Sequence, residues 1–123
     1  MAIKTNLQKE VQLLLNEYGA KAASVTDEVI TQVVKDATKK LKAASPRKSG
    51  EYAKGWTYRV EKGRISTSAT IYGKRQTYPL AHLLEYGHAK RNGGRVAGIE
   101  HIKPVEEWAV KETEERIVRR LET

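Results

Sequence analysis

Three histidines and one glutamate in the second half of the chain are the residues best suited to metal chemistry. His82, Glu85 and His88 lie close together, and His101 follows. Imidazole nitrogens and carboxylate oxygens are common zinc ligands. On a helix His82 and Glu85 would be neighbours, but His88 would lie about 120° around the axis from His82 and beyond the break at Gly87. Neither His-Glu-x-x-His nor its inverse is present. We therefore predict no metal site, and expect the histidines to cap turns and to hydrogen-bond the backbone around the glycine loop.

Other kinds of catalysis also lack suitable residues. The chain contains no cysteine, which excludes thiolate ligands, cysteine nucleophiles and disulfides. A magnesium-dependent nuclease needs clustered carboxylates, whereas no aspartate follows Asp36 and the glutamates fall mostly on predicted helix surfaces. The pair Gly93-Gly94 matches neither a P-loop nor a dinucleotide-binding fingerprint. We predict no catalytic residue, no cofactor and no enzymatic activity.

Binding to nucleic acid is a stronger alternative, because the chain is basic. It has 23 Lys and Arg against 15 Asp and Glu, a net charge of +8. Tyr72 and Tyr78 could stack on bases beside a rim of cations. The cations of this rim are Lys74, Arg75, Lys90, Arg91 and Arg95. No helix-turn-helix, zinc-finger or single-strand-binding signature accompanies them, so non-specific phosphate contact is favoured over sequence reading.

The length and composition indicate one soluble domain. The 123 residues are 39% apolar and 31% charged, enough for a single modest core. The N-terminal segment contains charges within its amphipathic pattern, unlike a signal peptide, and no apolar run is long enough to cross a membrane. We predict one domain over 1–123, with a helical arm over 1–44 and an α+β core over 51–123.

The arm carries apolar residues at a spacing of three and four, which predicts one helical stripe. These residues are Leu7, Val11, Leu14, Leu15, Tyr18, Ala22, Val25, Val29, Val33, Ala37 and Leu41. An unbroken helix from about Ile3 to Ala44 would be about 60 Å long, whereas a compact domain of this size has a radius of gyration of about 14 Å. Either the helix breaks near Gly19, or its first half projects and packs against another subunit.

A small antiparallel sheet is predicted after the turn at 45–50. The segment at about 51–72 alternates in the manner of a half-buried hairpin, with its turn at Lys62-Gly63. One predicted buried face carries Trp56, Tyr58 and Val60 on the first strand and Ile65, Thr67, Ala69 and Ile71 on the second. A hairpin alone is marginal in water, so it must lie on the helices or pair with a neighbour.

Two helices are predicted in the remainder of the chain. The first, about 80–86, is expected to pack inward through Leu80, Leu83 and Leu84, with Gly87 as its left-handed cap. A basic glycine loop over 89–98 and a short extended piece over 99–103 follow. Pro104 suits the first turn of the last helix, about 104–121. Its predicted apolar side consists of Val105, Trp108, Ala109, Ile117 and Leu121.

Three motifs in this order resemble a known family. Ser-Pro-Arg-Lys-Ser-Gly-Glu-Tyr at 45–52 runs on to Trp56, His-Leu-Leu-Glu-Tyr-Gly-His occupies 82–88, and His-Ile-Lys-Pro occupies 101–104. The chain resembles the minor structural proteins of long-tailed bacteriophages and prophages: tail components and head–tail joining, neck or tail-completion proteins. The resemblance covers about residues 40 to 110 and is specific in combination, since each motif alone is weak.

This resemblance implies an α+β fold and a non-enzymatic virion protein, present in the host cytoplasm before assembly. The protein would form a ring at the head–tail junction or at the tail end, contact connector or tail-tube proteins, and let DNA pass. The residues implied to define the fold and the interface are Leu83, Leu84, Glu85, Tyr86 and Gly87, and we add Trp56 to them. The 88–98 loop would order against a neighbour or face the channel, where its cations could contact DNA. The alternative is a small basic nucleic-acid-binding protein.

Overall fold

The computed structural model describes residues 3–4, 20–46, 50–63 and 66–122. In chain order the elements are β1 (Ile3–Lys4), α1 (Ala20–Ala44), α2 (Glu51–Lys54), β2 (Trp56–Lys62), β3 (Thr67–Gly73), α3 (Tyr78–Tyr86), β4 (Gly87–Ala89), β5 (Arg95–Ala97) and α4 (Ile102–Glu122). The predicted α+β class is confirmed. Within these ranges, no helix is long and apolar enough to cross a membrane.

Helix α1 is the centre of the fold, with α4 along one side and the sheet beneath it. The predicted stripe is buried along the whole described helix: Ala22, Val25, Val29, Val33, Ala37 and Leu41 are at most 7% exposed. Val105, Ala109 and Ile117 of α4 are buried in the same core. Arg116 of α4 ties the two helices at the surface, with its guanidinium 3.2 Å from Asp36 and 2.8 Å from Glu112.

The sheet is antiparallel, with strand order β1-β3-β2. Trp56 lies opposite Gly73 and Lys62 opposite Thr67. On β3, Thr67, Ala69 and Ile71 are buried while Ser68 and Tyr72 are exposed, which confirms the predicted alternation there. The buried side chains pack beneath α1.

Two predictions about the ends of these elements are wrong. Ile3 and Lys4 form a strand that pairs with Ile71 and Thr70 of β3, so no single helix runs unbroken from about Ile3 to Ala44. The segment 51–54 is one turn of helix after Gly50, not the start of the hairpin. Within this turn the adjacent residues Tyr52 and Ala53 are both buried. In a strand exposed on one face, successive side chains point to opposite faces, so two adjacent residues would not both be buried. The predicted stripe from Leu7 to Tyr18, the break near Gly19 and the side chain of Ile65 lie outside the described residues.

The predicted inward face of α3 is wrong for Leu80 and Leu83, although Leu84 packs against the core as expected. Leu80 and Leu83 are 44% and 41% exposed, whereas Ala81 and Glu85 are buried. The small Ala81 allows close approach to the core, and Glu85 binds the start of α4. The sequence pattern predicted that the leucines face inward and Glu85 outward, because charged side chains are rarely buried unless they are paired.

The predicted loop 89–98 is partly ordered as a hairpin. Strands β4 and β5 pair antiparallel, with Gly87 opposite Ala97 and Ala89 opposite Arg95. Residues 90–94 form the turn. Gly87 has the predicted positive φ of 80°, but its ψ of 179° is extended and not left-handed helical. The extended piece is shorter than predicted, since α4 begins at Ile102 with Pro104 in its first turn.

Candidate functional site

Glu85 lies buried at the point where α3 meets the beginning of α4. Its Oε1 accepts hydrogen bonds from the backbone N–H groups of His101 at 2.8 Å and Ile102 at 2.9 Å, and its Oε2 accepts one from Lys103 at 3.1 Å. The first N–H groups of a helix lack partners within the helix and carry partial positive charge. The Glu85 carboxylate therefore caps α4 from another element.

His101 and Tyr52 extend this polar cluster toward α2. The His101 Nδ1 lies 2.6 Å from the Ile99 carbonyl oxygen and 3.0 Å from Glu85 Oε1, so it carries a proton and donates. The His101 Nε2 lies 2.7 Å from the Tyr52 hydroxyl. Burial, reinforced by the charge of Glu85, raises the pKa of Tyr52 well above its ordinary value, so the hydroxyl stays protonated and donates to Nε2. The expected hydrogen bonding of histidine to nearby backbone is thus seen at His101.

Trp56 is anchored by a second set of hydrogen bonds beside this cluster. Its Nε1 donates to Ser45 Oγ at 3.0 Å, and Ser45 Oγ donates to the Leu41 carbonyl at 2.5 Å. The Trp56 and Tyr52 rings meet edge to face, with centroids 5.8 Å apart. Trp56 therefore joins the end of α1 to the sheet.

The cluster of Glu85, His101 and Tyr52 stabilises the fold, and its polar groups are shielded from solvent. The His101 and Glu85 side chains are 0% and 1% exposed, and their hydrogen-bonding groups are used within the chain. Of the other two histidines considered as ligands, His82 is exposed and packs on the Tyr86 ring, with centroids 4.9 Å apart, and His88 is half-buried on β4. Across the described residues, no group of three or more histidines, cysteines or acids could hold a metal ion.

The Glu85 carboxyl should make stability depend on pH in the acid range. Burial acts to raise its pKa, but the N–H groups of Ile102, His101 and Lys103, together with the His101 ring, lower it below its ordinary value of 4.5. The unfolded chain then takes up the proton at higher pH than the folded one. The contribution of Glu85 to stability is therefore present above about pH 4.5 and is lost as the pH falls through the folded-state pKa.

We expect Glu85→Gln to remove this dependence. Denaturant unfolding of both proteins from about pH 7 to about pH 3 should show a difference in the free energy of unfolding that is constant near neutrality and shrinks below about pH 4.5. A difference that stays unchanged on acidification would contradict the lowered pKa.

Exposed large apolar residues are concentrated on α3 and on the hairpin and segment that follow it. We call this set the α3 surface: Tyr78, Leu80, Leu83, Tyr86, Val96 and Ile99, which are 37–57% exposed. Two hydrogen bonds hold its parts together, from Ile99 N–H to the Leu84 carbonyl and from the Arg95 guanidinium to the Tyr86 carbonyl, each 2.8 Å. Clustered exposed apolar residues of this kind mark interaction sites, whereas scattered ones do not.

The predicted interface residues divide between this surface and the interior. Leu83 and Tyr86 belong to the α3 surface, and Leu84 is half-buried against the core. Glu85, Gly87 and Trp56 are buried. The five predicted cations, Lys74, Arg75, Lys90, Arg91 and Arg95, are all exposed, two in the turn before α3 and three on the β4–β5 hairpin.

The sequence pattern did not predict the buried Tyr52–His101 pair, nor that Tyr78, Leu80, Val96 and Ile99 would all be exposed. One signal for the surface was available. Six of the nine residues of α3 are Leu, Ala or Tyr, and they point in more directions than a short helix can bury. No comparable signal existed for Tyr52 and His101, which lie 49 residues apart in the chain.

The fold and this surface together define a small α+β protein whose exposed apolar residues are concentrated on one helix and the adjoining hairpin and segment. Residues 9–87, which are 79 of the 123, match the family described as "Bacteriophage HK97-gp10, putative tail-component". The chain belongs to this family of phage tail structural proteins. No curated protein and no solved structure matches it. The match spans α1 to α3, so the α3 surface lies partly within the matched residues and partly beyond them.

Proposed function

We propose that the protein is a non-catalytic subunit of a ring around the DNA channel, which joins the head to the tail or completes the tail. Its place would be the virion, with the host cytoplasm before assembly. Membership of a tail-component family supports the virion role. The α3 surface supports the contact with other subunits, whether these are further copies or connector and tail-tube proteins.

The α3 surface carries the proposal because it accounts for most of the exposed large apolar side chains. Eight such side chains are found among the described residues, and six of them belong to it. A surface of this kind would be covered in an assembly and would cost solubility in a free monomer. Glu85, Gly87 and Trp56 would act indirectly, by fixing α3, the hairpin and α4 in position behind the surface.

The exposed cations fit a role at the margin of this contact. Lys74 and Arg75 precede α3, and Lys90, Arg91 and Arg95 follow it on the hairpin. They could contact acidic groups on a partner, or phosphates of DNA passing through the channel. Many phosphate contacts would hold the DNA and slow its exit, so a small number is consistent with a channel.

We expect Leu83→Asp to block joining of heads and tails while the protein remains folded. Leu83 is 41% exposed on α3, so a charge there meets water in the free chain but is buried at the contact. Val118→Asp is the matched control, because Val118 is also 41% exposed on a helix, α4, away from the α3 surface. Leu84→Asp is a poorer test, since Leu84 packs against the core and its change would affect folding.

The measurement is complementation of a phage that lacks the protein, scored as infectious titre and as tailed particles by electron microscopy. Leu83→Asp should reduce the titre by about 100-fold or more, given the cost of burying an unpaired charge, with circular dichroism unchanged. Val118→Asp should complement normally. Normal particles with Leu83→Asp would refute the role of the α3 surface.

The second candidate, a nucleic-acid-binding protein, is favoured by the exposed cations and the charge of +8. Tight binding of duplex DNA by the isolated protein at physiological salt, with a steep salt dependence, would support it. The structural role predicts weak binding under the same conditions.

A further inference from the structure

The outer edge of β2 has no partner strand among the described residues. Beyond one end of the strand, Lys74 N–H donates to the Gly55 carbonyl at 2.8 Å; beyond the other, Gly63 N–H donates to the Ser66 carbonyl at 2.7 Å. Hydrogen-bonded pairs alternate along an antiparallel ladder, so the odd-numbered residues of β2 are the ones that bond to β3. The backbone groups of the even-numbered residues point to the outer edge. They include Tyr58, Val60 and Lys62.

We propose that this edge pairs with β2 of a second copy of the chain. The two strands would run antiparallel about a two-fold axis at Val60 and would join the two sheets into one continuous sheet. An open edge of this length is a template for strand addition. Tyr58 and Val60 are half-buried on the helix side, so the pairing would also cover apolar surface.

The charges of β2 select the second copy as the partner. Arg59 and Glu61 lie on the same side of the strand, with Arg59 Nε 3.2 Å from Glu61 Oε1, and are 62% and 68% exposed. With the axis at Val60, Arg59 of each copy lies opposite Glu61 of the other. Both are non-hydrogen-bonded positions of the new ladder, where opposed residues approach most closely. Four charges of alternating sign would then lie together on the solvent face.

Other registers lose this complementarity. An axis at Arg59 places arginine opposite arginine, and an axis at Glu61 places glutamate opposite glutamate. Like charges directly opposite each other destabilise a strand pair. An axis at Tyr58 places Arg59 opposite Thr57 and gains no ion pair. The sequence of β2 thus fits its own copy in one antiparallel register.

The arrangement has room for the helices that cover the sheet. Helix α1 lies over both β2 and β3. With strands about 4.8 Å apart, the two copies of α1 would be on the order of 10 Å apart, near the usual distance of packed helices. A two-fold contact closes after two copies, so it cannot build a ring by itself. It is a separate contact from the α3 surface and would form in the free protein.

The first test is a cross-link. The chain has no cysteine, so Val60→Cys introduces a single thiol at the proposed axis, where opposed Cα atoms would be about 5.5 Å apart and within reach of a disulfide. Mild oxidation should convert most of the folded Val60→Cys protein to a covalent dimer. Val118→Cys, with its thiol on α4, should remain largely monomeric. Equal cross-linking of the two variants, or none at position 60, would overturn the proposal.

The second test is a charge exchange, read by sedimentation of the purified protein over a range of concentrations. Arg59→Glu or Glu61→Arg alone should raise the dimer dissociation constant by roughly tenfold, because each places like charges opposite each other twice. The double variant should return to within about threefold of the original value. Val60→Pro should abolish the dimer, because it removes an outward N–H and leaves the bonds to β3 intact.

A protein that is monomeric at its highest soluble concentration would refute the pairing. So would a dimer that none of these changes weakens. Neither result bears on the α3 surface, because Leu83→Asp is read in particle assembly and should leave the β2 dimer unchanged.

Discussion

Replacing Glu85 with alanine is expected to lower the free energy of unfolding by about 4 kcal/mol. The change removes the acceptor of three backbone N–H groups at the start of α4, leaves the buried N–H groups of His101 and Ile102 without partners, and removes an acceptor of the His101 Nδ1 proton. Orphaned buried donors cost about 1–3 kcal/mol each when water cannot reach them, so the N–H groups of His101 and Ile102 together account for about 4 kcal/mol. Urea unfolding followed by circular dichroism measures the change.

Two further variants separate the sources of this loss. Glu85→Gln keeps an amide oxygen as acceptor and should lose about half as much. Glu107→Ala, on the exposed side of the first turns of α4, should change stability by less than about 0.5 kcal/mol. A loss below about 1 kcal/mol for Glu85→Ala would show that the start of α4 is not held by this carboxylate.

Replacing Gly87 with alanine is expected to have an effect of similar size, for a different reason. Gly87 combines φ of 80° with ψ of 179°, a conformation that only glycine adopts readily. A Cβ there would also lie 2.3 Å from the Val96 carbonyl oxygen and 2.7 Å from the Gly98 nitrogen. These are backbone atoms of β5 and its continuation, so β5 must move away from the start of β4. We expect a loss of about 3 kcal/mol and displacement of β5.

The chain supplies controls for the two parts of this effect. Gly94 has a similar φ of 79° with nothing within 4 Å of an added Cβ, so Gly94→Ala measures conformational strain and should cost about 1 kcal/mol. Gly98 does not have a positive φ, but a Cβ added to it would lie 2.4 Å from the Glu85 carbonyl oxygen. Gly98→Ala therefore measures the effect of the steric clash alone. Thermal unfolding of the three variants should place Gly87→Ala as the least stable. Equal stability of Gly87→Ala and Gly94→Ala would refute the close packing.

The fold class and most elements followed from the sequence where periodicity was long. The stripe from Ala22 to Leu41 predicts a helix with one buried face, because six apolar residues at this spacing can meet a core only in that way. The alternation from Thr67 to Ile71 specifies its strand equally well. Pro104 and the apolar residues after it indicated the last helix within two residues of its start. These features depend on neighbours along the chain.

The short elements between them were decided by tertiary contacts. The sequence of α3 offers apolar residues on every side, and only the need for a cap at α4 turns Glu85 inward and leaves Leu80 and Leu83 exposed. The pairing of Tyr52 with His101 joins residues 49 apart, which no local pattern can indicate. Likewise β1 is a strand because β3 offers it an edge. The sequence determined which segments have a buried face, and the tertiary structure determined which charged residue could be buried, because burial of a charge depends on hydrogen-bond donors from distant elements.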